Sequence, residues 1–170
     1  MGLKALRLWP LMAGLILAAC GGSGDAPASS PSATGAAGDY PEEPALHADQ
    51  ATLDAALHCT PYAHPDLPPV LLVHGTFTAG FEQYDWSYLP LLADRGFDVC
   101  IVTYPDRGLG DQQLSAEYVV NALRRMRAQS GREVALVGHS QGASMPRWAV
   151  KWWPSARAAL AHFIMLAGPN

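Results

Sequence analysis

A chain of 170 residues has room for one domain with its own hydrophobic core, and 49% apolar residues are enough to build it. Charged residues make up 15% and the formal net charge is -4, so there is no basic stripe to meet a phosphate backbone and nucleic-acid binding is set aside. Six histidines are present, but neither H-E-x-x-H nor any other paired spacing occurs among them, which argues against a metal site.

The first residues read as a targeting segment. Lys4 and Arg7 give a positive start, and Leu8 to Ala19 is an apolar run too short to span a bilayer as a stable helix. The run ends in Leu17-Ala18-Ala19-Cys20-Gly21, which resembles the lipobox of bacterial lipoproteins, where small residues admit the peptidase and the Cys20 thiol takes up diacylglycerol. The expectation is an exported, lipid-anchored envelope protein, at the outer membrane where there is one, since Gly rather than Asp follows the cysteine. An ordinary signal peptide cleaved elsewhere is the alternative. Acylating Cys20 would leave Cys59 and Cys100 as an even pair in an oxidising compartment, the alternative being two unpaired buried thiols. Residues 1–19 are thus assigned to the signal peptide, 20–44 to a lipidated cysteine and flexible linker, and 45–170 to the folded part. The linker is almost wholly Gly, Ala, Ser, Pro and Asp, too little apolar surface to repay the entropy of ordering it.

Within the folded part, short apolar or β-branched runs alternate with longer amphipathic ones, the pattern of an α/β fold with a mostly parallel sheet and helices on both faces. Val70 to Val73 reads as a buried strand, and Asp98 to Tyr104 as a second, ended by Pro105. Tyr84 to Asp94 between them reads as one helix stopping at Gly96. Asp111 is the expected N-cap of the next helix, with Leu114, Val119, Val120, Leu123 and Met126 at helical spacing and Gly131 as its end. Glu133 to Val137 is a third strand, Gln141 to Trp153 a helix, and Ala159 to Leu166 a fourth strand. Trp148, Trp152 and Trp153 lie on that last helix, and the expectation is that some of them pack beneath the helix layer, lipid contact being the alternative.

Directly after the third strand stands Gly138-His139-Ser140-Gln141-Gly142, a G-x-S-x-G sequence between a strand and a helix. So tight a turn excludes bulk two residues before and after the serine, hence Gly138 and Gly142. It presents Ser140 at the carboxyl edge of the sheet, beside the free amides of a helix N-terminus, as a nucleophile needs. Upstream, His74-Gly75-Thr76 follows the first strong strand. The backbone amides of Thr76 and Gln141 are therefore the expected oxyanion donors, with the Thr76 hydroxyl a candidate third.

These stretches, with Leu53-Asp54-Ala55-Ala56-Leu57-His58-Cys59, Pro69 to Thr76 and Glu117-Tyr118-Val119-Val120-Asn121-Ala122, carry a resemblance from about Leu53 to Asn170. The chain resembles the serine lipases of the α/β-hydrolase fold of the lipase B kind and their bacterial relatives. The resemblance implies a Cys59–Cys100 disulfide, an oxyanion hole from Thr76 and Gln141, carboxylic ester substrates with acylglycerols among them, and no metal or organic cofactor. His74 and His139 depart from the yeast pattern, which has Pro and Trp there, and are closer to the bacterial one.

Such an enzyme also needs an acid and then a histidine after the serine. Past Ser140 the sequence holds His162 and no Asp or Glu. His162 falls inside the fourth strand and reads as a packed or hydrogen-bonded residue, His74 and His139 belong to the two turns, and His47, His58 and His64 precede the sheet. The resembled family continues for further strands that carry the acid and the base, so the expectation is a truncated gene product, at best weakly active as it stands. Polyester depolymerisation or acyl transfer on the same site, and a non-catalytic lipid-binding envelope lipoprotein, are the alternative functions.

Overall fold

The computed structural model describes residues 42–169. The expected signal segment, Cys20 and most of the expected linker lie outside the described residues. In chain order the elements are α1 (Gln50–Ala55), β1 (Leu57–Cys59), β2 (Val70–Val73), α2 (Gly80–Tyr84), α3 (Tyr88–Ala93), β3 (Val99–Val102), α4 (Gln112–Ser130), β4 (Val134–His139), α5 (Gln141–Trp152), α6 (Pro154–Ala158) and β5 (Leu160–Leu166). The strands form one sheet in the order β1-β3-β2-β4-β5, parallel throughout except where β1 runs antiparallel to β3.

The two central apolar strands are buried on both sides, and alternate residues feed two cores. Leu71, Val73, Cys100, Val102 and Leu136 face a larger core with α1, α4, α5 and α6. Val70, Leu72, Val99, Ile101 and Val137 face a smaller one with Tyr84 of α2 and with Leu89 and Leu92 of α3. Helices therefore cover both faces.

The longest helix, α4, starts and stops as its sequence dictates. The Asp111 carboxylate accepts from the amides of Gln113 (2.7 Å) and Leu114 (3.3 Å), and Gly131 ends the helix in the left-handed conformation at φ 69°. Its polar residues Glu117 and Asn121 are also buried, because the segment before the sheet packs over them. Glu117 accepts from the amides of His47 (2.7 Å) and Ala48 (2.8 Å), and Asn121 donates to Asp54 (3.1 Å). Glu43 and Pro44, at the end of the expected linker, are already bound to this layer: Arg124 and the Ser155 amide hold the Glu43 carboxylate, and Trp153 Nε1 donates to Pro44 O at 2.8 Å.

Several expectations are corrected. Tyr84 to Asp94 is two helices rather than one, since a helix continued through Trp86 would drive the Pro90 ring into the Trp86 carbonyl. His58 does not precede the sheet but lies in β1. His162 is not packed: it is exposed on β5, at the edge of the sheet. The tryptophans need no such correction: Trp153 packs into the larger core, as expected of some of them, while Trp148 and Trp152 lie at the surface with their rings 5.7 Å apart.

The edge strand β1 is stapled in place. Cys59 stands directly opposite Cys100 in the ladder and the two are disulfide-bonded. The connection from β1 to β2 is pinned by Asp98, whose buried carboxylate accepts from the amides of Ala63 (2.9 Å) and His64 (3.1 Å) and from Arg132 Nη2 (2.7 Å). Burial alone would push the Asp98 carboxyl up, but these donors outweigh it and hold it down at about 2.

Candidate active site

Strands β2 and β4 are parallel neighbours with Val73 opposite Gly138, so the turns that follow them emerge side by side at the carboxyl edge of the sheet. One turn carries His74-Gly75-Thr76, the other His139-Ser140-Gln141. Ser140 is half-buried and adopts φ 54° and ψ -121°, a conformation that a non-glycine residue holds only where its surroundings enforce it. Its amide donates to Leu166 O at the end of β5 (2.9 Å), and its carbonyl accepts from the Ala143 amide in the first turn of α5 (2.9 Å).

The two glycines of the motif are required by contact. A Cβ on Gly138 would lie 1.8 Å from the Gly142 carbonyl oxygen, and one on Gly142 would lie 2.2 Å from Val73 O and 2.3 Å from His74 O. With both glycines present, the start of α5 lies directly against the carboxyl end of β2.

Thr76 and Gln141 are brought together. Among the described residues neither backbone amide donates to an acceptor of the chain, while their side chains meet each other: Thr76 Oγ1 donates to Gln141 Oε1 at 3.2 Å. The hydroxyl, expected as a third oxyanion donor, is thus engaged with the neighbouring turn. Gln141 Nε2 in turn donates to Gly108 O at 2.8 Å, within the tight turn Pro105–Gly108 that follows β3. Tyr104, just before that turn, is fully buried; its hydroxyl donates to His74 O and lies 3.5 Å from Gln141 Oε1.

His74 is buried with its ring stacked on Tyr104, centroids 3.8 Å apart. Its Nδ1 donates to Gly75 O at 2.8 Å, and its Nε2 has no hydrogen-bond partner. Burial holds the imidazole below its ordinary pKa, so the ring is neutral at pH 7. Its one ring hydrogen bond is to the turn, and neither ring nitrogen is hydrogen-bonded to Ser140 among the described residues. His139 is exposed, with Nδ1 turned toward Gly75. Among the described residues no imidazole nitrogen is hydrogen-bonded to the Ser140 hydroxyl.

Both turns carry a sequence motif, but the groups that join them do not. Tyr104, Gly108 and the Gln83 side chain, which accepts from the Gly75 amide at 2.9 Å, belong to no motif, and only the folded chain brings them to the site.

Residues 70–169 match the alpha/beta hydrolase family. Lipase B of Pseudozyma antarctica is 32% identical over 127 residues, covering 74% of this chain and 37% of the relative. Among solved structures, Aspergillus fumigatus lipase B superposes with a TM-score of 0.70 at 30% identity over 76% of this chain and 32% of its own length. The mature form of the Bacillus licheniformis lipase BlEst2 gives 0.57 at 26% identity, over 66% of this chain and 46% of its own. The chain therefore spans about a third of the length of the lipase B proteins that it matches.

Proposed function

Because the chain belongs to the alpha/beta hydrolase family, we propose that it acts in carboxylic ester hydrolysis with Ser140 as the nucleophile. The observation that carries this reading is the turn itself: Ser140 is held at φ 54° between β4 and the N-terminus of α5, next to two backbone amides, of Thr76 and Gln141, that have no acceptor among the described residues. Ser140 Oγ attacks the ester carbonyl, and the developing oxyanion takes the two amides, worth on the order of 10²-fold or more in rate for each donor. The alcohol then leaves and water releases the acyl group. The positive end of α5 points at the same place and favours the same charge. Proton transfer from Ser140 calls for an acid and base pair such as the Asp and His of a catalytic triad. The assay is for that reason run on the product of the whole open reading frame.

The lipase relatives support esters of lipids as substrates, acylglycerols among them. The Cys20 lipobox supports an exported protein held to a membrane by its lipid, and a Cys20→Ser variant that still incorporates labelled fatty acid would remove that part. For the chemistry, a fluorophosphonate probe is expected to label the wild type and not Ser140→Ala, and p-nitrophenyl esters of graded chain length are expected to be hydrolysed by the wild type alone. Equal labelling of both proteins, or hydrolysis that survives Ser140→Ala, overturns the assignment.

A further inference from the structure

The two amides assigned to the oxyanion come from separate turns, and their separation has to be held to a fraction of an ångström for both to reach one oxygen. The element placed to hold it is the third turn, after β3. Asp106, Arg107 and Gly108 all have positive φ, at 54°, 52° and 74°. Two of them are not glycine, and such a run is unfavourable for L residues unless something outside it compensates. Consecutive residues in this conformation turn successive carbonyls the same way, and here those carbonyls reach the two halves of the site. Arg107 O accepts from the Phe77 amide at 2.8 Å, next to Thr76, and Gly108 O accepts from Gln141 Nε2 at 2.8 Å. Gly108 sits so close that a Cβ there would lie 2.1 Å from Gln141 Oε1.

The side chain of Arg107 completes the link. Its Nη1 donates back to Phe77 O at 3.1 Å, and its guanidinium pairs with both oxygens of Glu82 at 2.8 and 2.5 Å. Glu82 also accepts from the Ala79 amide at 3.1 Å, fixing the start of α2 to the same group. Phe77, itself at φ 68° and largely exposed, is thus gripped on both sides of its peptide by one residue.

We propose that Asp106-Arg107-Gly108 is a positioning strut that sets the distance between the Thr76 and Gln141 amides, with Arg107 as the positioning residue that locks it through Glu82. The proposal rests on the ester-hydrolase reading of the same site, and it gives the paired turns a cross-member outside both. Because the Arg107–Glu82 pair is half-exposed, salt weakens it without touching the core.

The test compares wild type, Arg107→Gln, Glu82→Gln and Arg107→Lys, each as the product of the whole open reading frame. Amide hydrogen exchange is followed by NMR at Phe77, with the Gly131 amide, bonded to Arg127 O on the far end of α4, as the control. Hydrolysis of a p-nitrophenyl ester is measured alongside. The strut predicts that Phe77 exchange quickens about tenfold or more in both Gln variants while Gly131 stays unchanged. It also predicts that kcat falls about tenfold with KM within twofold, that Arg107→Lys recovers part of the loss, and that 1 M NaCl lowers kcat of the wild type but not of Arg107→Gln. Unchanged Phe77 exchange in both Gln variants overturns the strut, as does quickened exchange with kcat unaltered. A wild type inert toward esters whose Phe77 exchange still responds to both variants removes the ester reading and leaves the strut standing.

Discussion

Replacing Gly138 by alanine is the most direct way to ask whether the bend at Ser140 depends on close backbone contact. The added methyl would stand 1.8 Å from Gly142 O, 2.5 Å from the Gly142 carbonyl carbon and 2.9 Å from Ala143 N, all main-chain atoms. Non-bonded carbons settle at about 3.5 Å, so relief requires the first turn of α5 to withdraw by roughly 1.5 Å. It has little freedom to do so, because Gly142 is itself wedged against the carbonyls of Val73 and His74. The expected destabilisation lies at the upper end of the range for overpacking, about 3 kcal/mol, and a displacement of this size at the nucleophile lowers reactivity about 100-fold. Gly131→Ala is the matched control: it too places alanine in a helix-flanking turn, at φ 69°, but with nothing within 4 Å of the new methyl. Only the left-handed conformation is penalised there, at about 1 kcal/mol, and Ser140 is untouched. Urea unfolding and the rate of fluorophosphonate labelling on both variants decide the matter. If Gly138→Ala unfolds like Gly131→Ala and labels at the wild-type rate, the contact argument for this bend is wrong.

Two further outcomes follow from groups away from the site. The Cys59–Cys100 bond spans a sequence separation of 41 residues, so replacing both cysteines by serine is expected to lower stability by about 4 kcal/mol on the chain-entropy account, read from the urea midpoint at constant slope; a loss below 1 kcal/mol would mean that the β1 edge is held by other contacts. Asp98 is held at about 2, below its unfolded value near 3.8, so its stabilisation is complete above about pH 4 and is lost as pH falls through 2. That amounts to about 2 kcal/mol, and the pH dependence of unfolding between 4 and 2 should flatten in Asp98→Asn, whose persistence at wild-type slope would assign the acid sensitivity elsewhere.

What could be read in advance from the sequence were features with local causes. Asp111 and Gly131 announce both ends of α4 because a cap and a left-handed stop act within one turn, and Gly138-x-Ser140-x-Gly142 announces its bend because the steric demand lies within five residues. Elements whose reasons lie elsewhere in the chain stayed hidden. β1 has three residues, too few for any period, and exists because the edge of β3 and the Cys100 thiol receive it. Glu117 and Asn121 look like solvent-facing helix positions until residues 47–54 fold across them. The links among Tyr104, Gly108 and Gln141 span more than thirty residues and carry no spacing signal. A place inside a strand suggests a packed or hydrogen-bonded His162, but among the described residues β5 lies at the edge of the sheet, and Ile164 and Met165 near it are half-exposed as well.

The way residues 43–48 are fastened has a mechanical consequence. Tension applied from the N-terminal side of the fold meets Glu43 first, clamped by Arg124 and the Ser155 amide, and then the His47 and Ala48 amides on Glu117. Both anchorages load α4, which is buried along most of its length, rather than peeling a strand from the sheet. Should they yield, the covalent staple at Cys59 passes the load to Cys100 in β3, so the connection from Cys59 to β2 is not drawn out. A pull that extends the leading segment is therefore taken up across the sheet at β3 rather than along the chain that leads to β2.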